Sequence, residues 1–173
     1  LLCLPPSNFP TFDDKFESEK IELDKNNFLS LLNKTKISIS NDDTRHYLNG
    51  IYLHATESNK NMFLTGVATD SHRLSSSSIL VNEIKNFASI IIPRKTVFQL
   101  CSLLDNVEEK LIIQANANKI KFALGKISLI SKVIDGKFPD YQKVVPKENT
   151  KTLTVSSTDF VSSVERVASV SID

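Results

Sequence analysis

Three polar clusters hold most of the residues in this sequence that could do chemistry. The densest is Thr69-Asp70-Ser71-His72-Arg73-Leu74, set against the apolar stretch Phe63-Leu64-Thr65-Gly66-Val67-Ala68. It carries an acid, a hydroxyl and an imidazole side by side, the ingredients of a hydrolytic triad. Neighbours in sequence rarely supply a triad, because nucleophile, base and orienting acid must converge from different directions. No G-x-S-x-G elbow accompanies it either. The cluster reads as a polar turn or as the rim of a binding site. A second cluster, Asp42-Asp43-Thr44-Arg45-His46-Tyr47-Leu48-Asn49-Gly50, follows a predicted helix. One reading is a solvated loop entering an edge strand. The other is a loop that touches a nucleic-acid backbone, with Arg45 for phosphate and His46 and Tyr47 as rings against sugar or base. The third, Pro93-Arg94-Lys95, puts two cations at a helix start, where the helix dipole disfavours them unless an anion is near. Snorkelled surface cations are the plain reading, and a phosphate on that surface would rationalise the placement.

Other chemistries find no support. His46, His54 and His72 show no i, i+4 pairing and no Cys or carboxylate spacing suited to zinc, so neither a metal nor a cofactor is expected. Phosphate-loop and dinucleotide fingerprints are absent from a chain with 4 Gly. The acidic pairs Asp42-Asp43 and Glu108-Glu109 lie beside turn signals and read as solubilising charge.

The 173 residues are 40% apolar and 24% charged, which fits neither a disordered tail nor a membrane protein. No apolar run approaches the roughly 18 residues of a membrane span. Leu1-Leu2-Cys3-Leu4 is too short for a signal-peptide core and ends at Pro5-Pro6. With no starting Met, the chain is expected to begin inside a longer protein. Cys3 and Cys101 form no C-x-x-C pair, which points to a reducing compartment and a cytoplasmic protein. The net charge of +1 is low for a protein that grips phosphates over a broad surface. It remains compatible with DNA if one face is positive and another acidic.

The elements that must position these clusters repeat. Phe9-Pro10-Thr11-Phe12 leads to Lys20-Ile21-Glu22-Leu23 and then Phe28-Leu29-Ser30-Leu31-Leu32. Late in the chain Phe138-Pro139-Asp140-Tyr141 leads to Thr152-Leu153-Thr154-Val155 and then Phe160-Val161-Ser162-Ser163-Val164. Phe9 and Phe138 are 129 residues apart, Phe28 and Phe160 132. A repeat of about 130 residues divides the chain into the end of one copy (1–16), a complete copy (17–148) and the opening of a third (149–173). Within the complete copy, Ile21-Glu22-Leu23 leads into one amphipathic helix, capped by Asp24 or Asn26. Ser89-Ile90-Ile91-Ile92 leads into another, opened by Pro93. Period-two strands follow each helix: 51–55, 63–68 and 78–81, then 111–115, 119–124 and 127–134. Strand, helix and three strands, twice over, with two helices packed on one side of antiparallel sheets, make an α+β domain.

Taken together, Arg45-His46-Tyr47-Leu48-Asn49-Gly50-Ile51, Val67-Ala68-Thr69-Asp70-Ser71-His72-Arg73-Leu74, Ile92-Pro93-Arg94-Lys95 and Asp135-Gly136-Lys137-Phe138-Pro139-Asp140-Tyr141-Gln142-Lys143-Val144-Val145-Pro146 resemble the β subunit of bacterial DNA polymerase III, the DNA sliding clamp. The resemblance runs over essentially the whole chain, and its strength lies in the combination, each motif being modest alone. It implies the DNA clamp fold of three tandem domain copies, this chain holding the end of the first, all of the second and the start of the third. It implies a non-enzymatic role as the processivity factor in DNA replication. Two subunits form a head-to-tail homodimer ring around duplex DNA, lined by helices and walled by sheets, which slides while holding the polymerase on its template.

The implied DNA contacts fall on the loop residues Arg45, His46 and Tyr47, and on Lys34 and Lys36 of the first helix and Arg94 and Lys95 of the second. Where many members carry two tyrosines in that loop, this chain has His46. A family pocket also takes short hydrophobic peptides from the polymerase III catalytic subunit, the clamp loader and repair polymerases. Its second-domain side maps to Leu48, Thr69, Ser71, His72, Arg73, Leu74, Pro139, Lys143 and Val144. Leu48, Leu74, Pro139 and Val144 offer an apolar floor for Leu or Phe anchors, with His72 and Arg73 as polar rim. Ser71 replaces the usual Gly, reducing backbone freedom, and Lys143 replaces a common Arg, losing its forked donors. The competing reading is an α+β binding module of a multidomain enzyme whose active site holds the 69–74 cluster. The in-register repeat favours the clamp.

Overall fold

The computed structural model describes residues 3–8, 16, 18–81, 84, 86–105 and 110–171. The repeat landmark Phe9-Pro10-Thr11-Phe12 and the pair Glu108-Glu109 lie outside the described residues. The chain divides into two compact units between Phe138 and Pro139.

In the first unit a short strand β1 (Ile21–Leu23) turns directly into α1 (Lys25–Thr35). Of the two predicted caps Asp24 takes the role: its carboxylate accepts the Asn27 N–H at 2.8 Å, a bond that typically stabilises a helix by about 1 kcal/mol. Phe28, Leu31, Leu32 and Thr35 recur at three- and four-residue spacing and form the buried face. The Thr35 hydroxyl turns back to donate to Leu31 O at 2.8 Å, so burying it leaves no orphaned donor. Lys36 belongs to the 3-10 turn Lys36–Ser38 after α1 and not to the helix itself, a correction to the expected placement.

Three antiparallel strands follow: β2 (Gly50–Ser58), β3 (Asn61–Thr69) and β4 (Leu74–Val81). The second half runs β5 (Ile90–Pro93), α2 (Arg94–Asp105), β6 (Leu111–Ala115), β7 (Lys119–Leu124) and β8 (Ile127–Lys132). The expected strand-helix-three-strand unit is thus present twice. The two halves also exchange their first strands. β1 pairs with β6, giving the order β1-β6-β7-β8, and β5 pairs with β2, giving β4-β3-β2-β5. Both sheets are therefore completed only by the other half, which makes one domain of two similar halves.

Three boundaries differ from the sequence reading. The second strand of the first half was expected to be followed by one starting at Ser78, but β4 begins at Leu74 and takes in Ser75 to Ser78. Hydroxyl bonds replace apolar packing on that run. Ser78 Oγ meets Thr65 Oγ1 at 2.8 Å, and Thr65 Oγ1 meets Thr56 Oγ1 at 2.8 Å, linking three strands. Ser75 Oγ lies 2.7 Å from Ser38 Oγ. Pro93 closes β5 opposite Gly50 and does not open α2, which starts at Arg94. β8 stops at Lys132, where the chain crosses to the other sheet: Ile134 N–H donates to Ile91 O at 2.9 Å.

The core joins both helices to both sheets. Phe28 of α1 and Phe122 of β7 are fully buried, with ring centroids 6.2 Å apart. Among the described residues no helix is long and apolar enough to cross a membrane. The Tyr52 ring on β2 stacks with His54 at 4.7 Å and with Phe138 at 4.9 Å. Burial lowers the His54 pKa below its ordinary 6.5, opposed in part by the Ala55 carbonyl that its ring contacts. An unfolded chain therefore takes up a proton near pH 6.5 that the folded chain refuses. The contribution to stability is whole above that pH and is lost as pH falls through the lowered folded value. The thermal midpoint should fall as pH drops from 7.5 towards 5, and His54→Phe, which keeps a stacking ring, should flatten that slope. An unchanged slope in the variant would assign the acid sensitivity elsewhere.

The second unit holds a 3-10 turn (Tyr141–Lys143) and α3 (Ser157–Ala168), capped by the Ser156 hydroxyl, which accepts the Asp159 N–H. Phe160, Val161, Val164 and Val167 form an apolar stripe on α3, and every one is at least half exposed.

Candidate functional site

The loop between α1 and β2 is organised by Asp42. One carboxylate oxygen accepts both the Thr44 N–H at 2.9 Å and the Thr44 hydroxyl at 2.6 Å; the other accepts Arg45 Nε at 2.8 Å. These bonds, the Thr44 side chain first, hold the Asp42 pKa at about 2, below its ordinary 3.8. A 3-10 turn then runs from Asp43 to Leu48, broken by the non-helical backbone of Arg45. Beyond the break, His46 Nε2 donates to Asp135 O at 3.1 Å, and the His46 and Tyr47 rings meet edge to face. Leu48 is buried, and its carbonyl accepts the Ser40 N–H at 3.1 Å.

The turn between β3 and β4 is held by Thr69 and Asp70. Thr69 Oγ1 donates to Arg73 O at 2.7 Å and accepts the Ser71 N–H at 3.1 Å. Asp70 Oδ1 accepts the N–H groups of His72 and Arg73, both at 3.0 Å, and Oδ2 accepts Arg73 Nε at 3.0 Å. The backbone bond from Arg73, ahead of that from His72, lowers the Asp70 pKa. The acid is thus committed to shaping the turn, which is the polar-turn reading of the cluster in physical form. Ser71 sits at the corner with φ of +79°, the left-handed region that glycine enters without cost and other residues rarely do. Ser71, His72 and Arg73 are exposed and Leu74 half-buried, pairing with Thr69 at the strand mouth.

The two segments meet. Arg45 Nη1 donates to Ser71 Oγ at 2.5 Å while its Nε holds Asp42. Of the residues assigned to a peptide pocket, Thr69, Ser71, His72, Arg73 and Leu74 share one turn, and Leu48 lies in the same unit, in the segment that Arg45 ties to Ser71. Pro139, Lys143 and Val144 belong to the second, where Lys143 Nζ pairs with Asp140 at 3.0 Å and Val144 is 69% exposed.

The residues assigned to DNA fall into two groups. Arg45 is engaged as above. Arg94 and Lys95, with His46, Asn41 and Asn49, line a cleft of about 440 Å³ where the loop meets the start of α2. Arg94 donates to Asn41 Oδ1, and its backbone N–H reaches Asn49 O at 2.9 Å. Its guanidinium also lies 5.1 Å from the centre of the Phe98 ring, over which Lys36 Nζ stands at 5.5 Å. Phe98 is 44% exposed, so it works as an apolar platform between two cations, not as core. Lys34 lies on the last turn of α1, exposed. Sequence reasoning missed Phe98, Asn41 and the organising role of Asp42. The first was legible as an aromatic four residues after Arg94 on a helix, and the last as an Asp two residues before Thr44, a common turn pattern. Among the described residues no group of three His, Cys, Asp or Glu side chains is placed to hold a metal ion.

Comparison with known proteins agrees over the whole chain. Residues 22–140 match the family model of the DNA polymerase III beta subunit, central domain. The Caulobacter vibrioides beta sliding clamp is 37% identical over all of this chain and 47% of its own length. That of Escherichia coli is 37% identical over 88% of this chain and 41% of its own. A crystal structure of the Caulobacter crescentus clamp superposes with a TM-score of 0.94 at 37% identity, covering 98% of this chain and 46% of that one. A Bartonella birtlesii clamp bound to griselimycin gives 0.92 at 38% identity, covering 99% and 46%. The chain spans about half the length of the relatives it matches.

Proposed function

This chain belongs to the DNA polymerase III β subunit family, the bacterial sliding clamps, and on that premise we propose that it serves as a DNA-encircling tether for the replicative polymerase and carries out no reaction of its own. Residues 1–16 would be the end of a first clamp domain, 17–148 a middle domain and 149–173 the opening of a third. In a head-to-tail homodimer, α1 and α2 line the hole and the two four-stranded sheets form the wall. The carrying observation is the family match over residues 22–140.

Lys34, Lys36, Arg94 and Lys95 give the lining its cations, and Arg45, His46 and Tyr47 the loop contacts. The platform of Phe98 favours loose binding, since cations held over a ring by an exposed, screened contact re-pair readily as phosphates pass. Near-neutral net charge fits a topological hold, which needs no tight grip. The turn 69–74 and Leu48 of the first unit would take the Leu or Phe anchors of peptides from the polymerase, the loader and repair polymerases, and Pro139, Lys143 and Val144 are proposed for the same role on the resemblance alone. A solved relative that holds griselimycin supports a ligand-accepting surface in this family.

The test uses the longer protein, loaded by its loader onto nicked circular DNA. It should remain on the circle in high salt and leave when the circle is linearised. Release set by salt and not by free ends would replace the tether with an ordinary DNA-binding module.

A further inference from the structure

We propose that Arg45 is a positioning residue which, through the Ser71 hydroxyl, makes DNA contact at the 42–49 loop and peptide contact at the 69–74 turn two linked equilibria. The inference rests on the proposed clamp function and adds a coupling to it. A continuous chain of short bonds joins the two surfaces. Asp42 fixes Thr44 and Arg45 Nε; Arg45 Nη1 reaches Ser71 Oγ at 2.5 Å; Ser71 N–H is held by Thr69 Oγ1, which in turn donates to Arg73 O. All of it lies within the first unit.

The link depends on the residue at position 71. At φ of +79° the backbone favours glycine, and glycine would carry no hydroxyl for Arg45 to reach. With serine there, the turn is braced from outside by a guanidinium, and that guanidinium sits on the loop proposed to meet phosphates. A phosphate is a stronger acceptor for an arginine than a neutral hydroxyl. Drawing Nη1 to phosphate therefore removes the brace from a turn whose corner residue is held in an unfavoured conformation. Peptide binding, which needs the turn in one shape, weakens; by reciprocity, a bound peptide weakens the DNA contact by the same factor.

The experiment measures the Kd of a fluorescent synthetic peptide carrying Leu and Phe anchors for the longer, ring-forming protein, free and loaded on nicked plasmid. DNA should raise that Kd about fivefold, the low end for coupled sites, since both partners are partly exposed. Ser71→Ala keeps the Cβ and the backbone demand but deletes the acceptor. Ser71→Gly deletes both, and Arg45→Lys keeps the charge but not the fork. All three should bring the ratio of the two Kd values to about one, with melting temperatures confirming that each is folded. A wild-type ratio of one, or a ratio that survives in Ser71→Ala, overturns the coupling while leaving the clamp reading in place. A wild-type ring that binds no peptide, or that salt strips from circular DNA, overturns the clamp function and the coupling with it.

Discussion

Gly50→Ala should lower the stability of the chain by about 3 kcal/mol or more, the upper part of the range for forcing atoms into a packed site. A Cβ built on Gly50 would stand 2.2 Å from the carbonyl oxygen of Ile92 and 2.9 Å from its carbon, with Ile91 Cγ2 at 3.0 Å. The obstruction is backbone, in the strand paired with Gly50 itself, so no side chain can rotate away. Gly50 opposes Pro93, and Ile51 opposes Ile92, in the pairing of β2 with β5. Since β5 is the strand the second half lends to the first sheet, pushing it away would strain the joint between halves. It would also disturb the bond from Arg94 N–H to Asn49 O that sets the start of α2. Gly66 provides the control. Its added Cβ would meet Leu31 Cδ2 at 2.6 Å, the end of a flexible side chain, so Gly66→Ala should cost less, about 1 kcal/mol. At roughly 2–4 °C per kcal/mol for a chain of this size, thermal melting separates the two variants. Equal or reversed losses would show that β5 can yield and that the interlock is softer than its geometry.

The parts of this architecture visible in the sequence are those set by local pattern. Phe28, Leu31, Leu32 and Thr35 announce α1 by spacing alone, and Val97, Leu100, Cys101 and Leu104 announce α2. Strands β6 and β7 alternate buried and half-buried residues without exception, so their period is plain. The serine run of β4 has no such signal, because hydroxyl pairs with Thr65 and Ser38 hold it. Nor does any local rule reveal that β1 and β5 change places: Ile21 opposes Ile113, 92 positions further along the chain, and either half would read the same with its own strand retained. The site follows the same division. The types in the 42–49 and 69–74 segments, and the foreign serine at position 71, were readable from residues and family resemblance. The bond from Arg45 to Ser71 was not, since it depends on a kink at Arg45 and on the corner conformation of Ser71, two backbone states that sequence leaves open. One consequence is a changed role for Arg45. Read alone it is a loop cation free to meet phosphate; in place, it is shared between a carboxylate and a hydroxyl.

The repeat itself yields the second large effect. In the proposed repeat Phe28 and Phe160 stand at corresponding places, 132 residues apart, each the first large apolar residue of a capped helix. Their surroundings differ sharply: Phe28 is 0% exposed and faces Phe122, whereas Phe160 is 55% exposed. Phe28→Ala should therefore cost about 3–5 kcal/mol, transfer and cavity terms together, and melt the first unit well below its normal midpoint. Phe160→Ala in the 173-residue chain should cost less than about 0.5 kcal/mol, as for a surface change. If 149–173 opens a third clamp domain, the same substitution in the longer protein must bury its loss as Phe28 does, because the stripe of Phe160, Val164 and Val167 then lies under sheets of its own. The expected result is thus a pair of numbers for one substitution, near zero in the chain and about 3–5 kcal/mol in the longer protein, read by denaturant unfolding of each. Two small values would leave α3 a surface helix and remove the third copy from the domain plan, while the Phe28 result would stand on the first unit alone.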